Sequence, residues 1–215
     1  LYMLDTRDPW FGYWDHGQSF GLAHYADLTD LPGRKHWTWG THARQAAVRA
    51  QTHHSSGEVF GEIQSGRVVI QEHKDLMPPE TEHEWTELWF PVRDTGAFNS
   101  AGPGGAMRTE VLEAGAECSR IRVSAIGNGF FPGATLTVTS DGAKPVTKPL
   151  PLQPTSATEA TLTLRGMAAP DRHTSLTVSN PDGEVLIRHR LRPPSTRDCW
   201  REVVDRTPKA AVTAE

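Results

Sequence analysis

Five segments in the second half of the chain alternate apolar and polar residues: SRIRVSAIG (119–127), ATLTVTS (134–140), ATLTLRG (160–166), SLTVSN (175–180) and EVLIRHRL (184–191). A period of two suits a half-buried β-strand, because successive side chains leave a strand on opposite faces, and it does not suit a helix. The alternation places Leu136 with Val138, Leu162 with Leu164 and Leu176 with Val178 on one face each, with threonine outward. Two sheets carrying such faces bury them against each other, which predicts an antiparallel β-sandwich. Pro181-Asp182-Gly183 lies between the last two segments and predicts a hairpin turn. The recurring Thr/Ser-Leu-Thr-Val/Leu phrase has unequal spacings, so it reflects strand composition rather than a repeat architecture.

The first half is less regular but also β-rich. FGLAHYAD (20–27), EVFGEIQSGRVVIQEH (58–73) and HEWTELWFPVR (83–93) read as strands, the last with Trp85, Glu87 and Trp89 on one face and Pro91 marking an edge. ARQAAVRAQ (43–51) reads as a short helix or an irregular crossing. Glycine and proline together occupy 35 of 215 positions, which favours short strands joined by turns. DTGAFNSAGPGGA, at 94–106, breaks the aromatic text with small residues and reads as a boundary. The expected organisation is an all-β chain with a β domain over 1–96, a linker over 97–106, a β-sandwich over 107–194, and a short helix with a tail over 195–215.

Net charge is −4, with eight Lys/Arg against fourteen Asp/Glu in residues 1–100 and fourteen against twelve thereafter. Neither half offers the basic face that phosphate-backbone binding needs, so nucleic acid is excluded as a partner class. No apolar run approaches the roughly 18 residues of a membrane span, and no membrane partner is expected. The two cysteines, Cys118 and Cys199, stand outside any metal-binding spacing and are expected to be reduced thiols.

Candidate chemistry concentrates before residue 90, where six of seven tryptophans and eight of ten histidines fall. An indole offers a flat apolar face and one N–H donor, which suits the hydrophobic face of a sugar ring whose hydroxyls need polar partners nearby. In KHWTWG, Trp37 and Trp39 are two apart and project with Lys35 to one side of an extended segment, followed by His42. The alternative is that these rings are core packing. In GEIQSG, Glu62 shares a strand face with Gln64; partial removal from water raises a carboxyl pKa and suits it to acid/base work, although a surface-facing strand glutamate is the plainer reading. Asp15 and His16 are neighbours, as are His53 and His54, but no HxxxH or Cys/His spacing supports a metal, and none is expected. There is no GxSxG elbow, dinucleotide motif or phosphate loop, so no cofactor is expected.

WDHGQSFGLAHYADLTDLPGRKHWTWGTH followed by GEIQSGRVVIQEHKDLMPPETEHEWTELWFPVRDTG resembles the C-terminal part of a bacterial domain of unknown function that commonly precedes tetratricopeptide repeats. That family is related to the galactose-mutarotase-like supersandwich. The WDH, PGRK-WTWG, E-QSG, downstream glutamine and W-x-P-V-R-D elements occur in its order, over about residues 9–96. The resemblance implies the C-terminal part of a galactose-mutarotase-like supersandwich, followed here by the smaller antiparallel β-sandwich. It also implies a carbohydrate-facing groove in which Glu62 takes the place of a mutarotase general base; it assigns no such role to His16, His24 or His42.

The expected function is a carbohydrate-active module, aldose-epimerase-like or part of a glycoside-processing enzyme. Glu62 is the acid/base and Asp15 the candidate second carboxylate. Trp37 and Trp39 form the sugar platform, and Lys35, His42, Gln64, Gln71 and His16 the polar contacts. The alternative is a noncatalytic carbohydrate-binding or interaction module whose tetratricopeptide neighbours recruit a protein partner.

Overall fold

The computed structural model describes residue 3 and residues 7–38, 61–115, 118–141, 143–165 and 173–191. These form β1 (Trp10–Asp15), β2 (Phe20–Ala26), β3 (Gly33–Thr38), β4 (Gly61–Gly66) and β5 (Glu87–Arg93), then β6 (Ser100–Gly102), β7 (Gly105–Ala114) and β8 (Cys118–Gly127). They continue as β9 (Thr135–Thr139), β10 (Val146–Pro149), β11 (Thr158–Arg165), β12 (Ser175–Ser179) and β13 (Val185–Arg190). The fold is all-β, with no helix among the described residues. Both segments read as helical, 43–51 and the one opening 195–215, lie outside the described residues.

The second half is a sandwich of two antiparallel four-stranded sheets, ordered β11-β8-β7-β6 and β10-β9-β12-β13. Each of the six expected inward residues is buried and belongs to one core, joined there by Met107, Ile121, Val123, Leu150 and Ile187. Burying a Leu or Val side chain of this kind stabilises by about 1.5–3 kcal/mol. Pro181 to Gly183 close the β12–β13 hairpin; Gly183 supplies the positive φ of 86° that a side chain disfavours. Cys118 is a free thiol, and Cys199 lies outside the described residues.

The first half contributes a three-stranded antiparallel sheet, β1-β2-β5, and a two-stranded ribbon, β3-β4. Pro91 sits in β5, at an edge of the sheet, where its missing N–H breaks no second ladder. One face of the sheet, with Ala23, Phe90 and Val92, packs on Ala101, Ala106 and Ile126 of the second half, together with Trp10, Trp14 and Phe98. The long strand expected over 58–73 is described only from Gly61 and ends at Gly66; residues 67–72 turn away.

Residues 97–106, the expected linker, hold regular and buried structure. Ser100–Gly102 is β6, Gly105 begins β7, and Ser100, Ala101, Gly102, Gly104 and Ala106 are all buried. The small residues serve close approach rather than flexibility: a Cβ on Gly104 would lie 2.6 Å from Leu186 Cβ, and one on Gly102 would strike the Leu186 carbonyl. Ser100 Oγ donates to the Arg188 carbonyl at 2.8 Å and Gly104 N–H to that of Leu186 at 3.0 Å, tying β6 and its turn to β13.

Candidate functional site

The β3–β4 ribbon decides where the expected site residues go. Its register sets Trp37 opposite Glu62 and Lys35 opposite Gln64, with Arg34 opposite Ser65 and His36 opposite Ile63. Directly opposed residues in an antiparallel pair share a face. Lys35, Trp37, Glu62 and Gln64 therefore occupy one face, and Arg34 and His36 the other. The Gln64 amide donates to Glu62 Oε2 at 3.0 Å, which holds the carboxylate in one orientation. Lys35 is only 6% exposed, while Trp37, Glu62 and Gln64 are half-buried. The face thus presents an indole, a three-donor ammonium, an amide and an acceptor carboxylate side by side.

The opposite face anchors the ribbon. Arg34 is fully buried, donates to the backbone carbonyls of Asp8, Trp10 and Ala26, and stands 5.6 Å from the centre of the Phe11 ring. Burial lowers its pKa from the usual arginine value, but its five donors and delocalised charge suit such a carbonyl-rich niche. At the ribbon's end, Gly33 lies so close to the Val68 carbonyl that no Cβ fits. Val68 also lines an adjoining open cleft of about 500 Å³, together with Thr29, Asp30, Glu72 and Lys74. Arg67 and Asp75, also in that cleft, pair at 2.7 Å.

Of the other expected residues that are described, Asp15, His16 and Gln71, none lies on β3 or β4. Asp15 ends β1 and accepts N–H donors from Gly17 at 2.7 Å and Gln18 at 3.1 Å, so its carboxylate closes the β1–β2 turn. Asp15 is five strand residues from Trp10, whose carbonyl takes the Arg34 hydrogen bond, a separation of about 17 Å along a strand. His16 is exposed in the same turn, and Gln71 is exposed beyond the end of β4. Trp39 and His42 lie outside the described residues. Among the described residues no group of three His, Cys, Asp or Glu side chains is placed to hold a metal ion.

A second polar cluster, which residue patterns do not single out, lies on the β1-β2-β5 sheet. Register aligns Phe11, His24 and Trp89 across the three strands, with the imidazole centre 4.8 Å from Phe11 and 4.4 Å from Trp89. His24 Nε2 lies 2.9 Å from Glu87 Oε2, which also accepts from the Trp89 indole N–H at 3.2 Å. Burial chiefly lowers the His24 pKa, against the raising effect of Glu87 and with a further lowering from Arg34. Partial burial alone would raise the Glu87 carboxyl, but hydrogen bonds from His24, Trp89 and Trp85 outweigh it and lower its pKa. Trp85 and Trp89 are exposed, as are Tyr13 and Phe20 on β1 and β2. The common face of Trp85, Glu87 and Trp89 is visible in the strand's alternation, whereas the contact with His24 depends on the β2–β5 register.

No curated protein and no solved structure matches this chain. Residues 2–92, which hold the ribbon, the His24–Glu87 pair and all but the last residue of β5, match the model of the family DUF5107, a domain of unknown function.

Proposed function

We propose that the Lys35–Trp37–Glu62–Gln64 face of the ribbon binds carbohydrate. The observation that carries this reading is the cross-strand register, which gathers the half-buried Trp37, Glu62 and Gln64 and the nearly buried Lys35, of different hydrogen-bonding character, on one face. Trp37 supplies the platform for the C–H face of a sugar ring. Lys35 donates to ring or hydroxyl oxygens, Glu62 accepts from hydroxyls, and Gln64 does both. The resemblance of GEIQSG to the glutamate strand of the galactose-mutarotase-like supersandwich points to the same ligand class.

On this reading Glu62 moves the anomeric proton, as in an aldose epimerase. Glycoside hydrolysis by a carboxylate pair requires a second acid at about 5–9.5 Å. Asp15, the candidate for that role, is engaged in its own turn. A glycan array with the full chain and its Trp37→Ala variant tests binding, and polarimetry of α-galactose and α-glucose tests anomer exchange. Loss of array binding in Trp37→Ala supports the reading; equal binding by both proteins defeats it.

A further inference from the structure

We propose that the cleft between the β1–β2 strands and β13 is a second binding site, for a sugar ring that carries an anionic group. The cleft measures about 500 Å³ and is lined by Asp8, Trp10 and Tyr25 from the first half and by Pro103, Arg188 and Arg190 from the second. That volume lies within the range of small-ligand sites, about 300–1,000 Å³.

Three observations give it chemistry. Trp10 and Tyr25 are directly opposed on β1 and β2, so their rings share the face that looks toward the second half. Arg188 and Arg190 alternate on β13 opposite Thr177 and Ser175, which points both guanidiniums away from the core and gives neither a cross-strand acid. Elsewhere in the sandwich, Arg122 reaches Glu110 at 2.6 Å; for Arg188 and Arg190 no ion pair forms among the described residues. The lining thus sets two guanidiniums against the single carboxylate of Asp8, whose charge already acts on Arg34.

A guanidinium fork matches the paired oxygens of a carboxylate or sulfate, and the aromatic pair matches the apolar face of a pyranose. A pyranose with an anionic substituent uses both; inorganic phosphate uses only the first and a neutral sugar only the second. Both halves of the chain are needed to complete the site. This site does not rest on the ribbon reading.

The test is titration calorimetry of the full chain at low salt with digalacturonate, a monosulfated disaccharide, a neutral disaccharide and inorganic phosphate. The expected result is binding of one or both anionic sugars at least about tenfold tighter than the neutral sugar or phosphate, weakening as salt rises. Arg188→Gln/Arg190→Gln, two exposed positions, is expected to lose that preference with an unchanged melting temperature, and Trp37→Ala to retain it. Equal affinity for the neutral sugar or for phosphate overturns the proposal. So does undiminished binding in the double variant, or loss of binding in Trp37→Ala, which would assign the anionic sugar to the ribbon.

Discussion

His24 places Nε2 at 2.9 Å from Glu87 Oε2 with the imidazole wholly buried and the carboxylate side chain 32% exposed. The neutral imidazole donates from Nε2, which leaves Nδ1 as the acceptor; that atom is buried and has no hydrogen-bond partner among the described residues. Protonation would set an N–H there with nothing to receive it, in addition to the cost of desolvating the cation.

The pair therefore makes stability fall with acid. His24 has a folded pKa below its ordinary 6.5, so the unfolded chain binds the proton first. Its contribution is complete above that value and is lost as pH falls through 6.5 toward the folded pKa. Glu87, lowered from 4.5, adds a second loss at more acid pH. Thermal melts are expected to show a falling midpoint from about pH 7 to pH 5, and His24→Gln to flatten that slope. An identical slope in the variant would contradict the assignment.

Arg34 is the main anchor between the ribbon and the sheet. Arg34→Met keeps much of the volume but leaves the part-buried carbonyls of Asp8 and Trp10 and the buried carbonyl of Ala26 without this donor. Each such group costs about 1–3 kcal/mol, so urea denaturation is expected to show a loss of about 3 kcal/mol or more. Arg34→Lys retains the charge and one of the three contacts and is expected to fall between the two.

Gly33 tests the close approach at the ribbon's end. A side chain there meets backbone, the Val68 carbonyl, rather than a movable side-chain tip. Gly33→Ala is expected to displace the 67–70 turn and lower the melting midpoint by several degrees, about 1–3 kcal/mol. A midpoint equal to that of the parent would show that the turn yields freely.

The sandwich was legible because its signal is local: Leu136, Val138, Leu162, Leu164, Leu176 and Val178 declare their face by alternation alone, and all are buried. The packing of 97–106 is not legible in the same way, because glycine marks both flexible linkers and close approach. What separates the two is Leu186, about 80 positions away in sequence. The site shows the same division. The i, i+2 spacing of Lys35 with Trp37 and of Glu62 with Gln64 was readable, but their meeting on one face depends on strand register. Asp15 is a candidate second carboxylate by composition alone, which carries no information about the turn that occupies its carboxylate. His24 and Glu87 meet only through the β2–β5 pairing.

The most direct test of the carbohydrate reading compares the parent protein, Trp37→Ala and Glu62→Gln on one glycan array, with melting temperatures to confirm folding. Removing the stacking ring is expected to weaken binding of the array ligand by about tenfold or more. Glu62→Gln is expected to keep the platform and retain binding within a few-fold, while abolishing any anomer exchange that the parent shows by polarimetry. Folded Trp37→Ala protein that binds the same glycans as tightly as the parent would contradict the account.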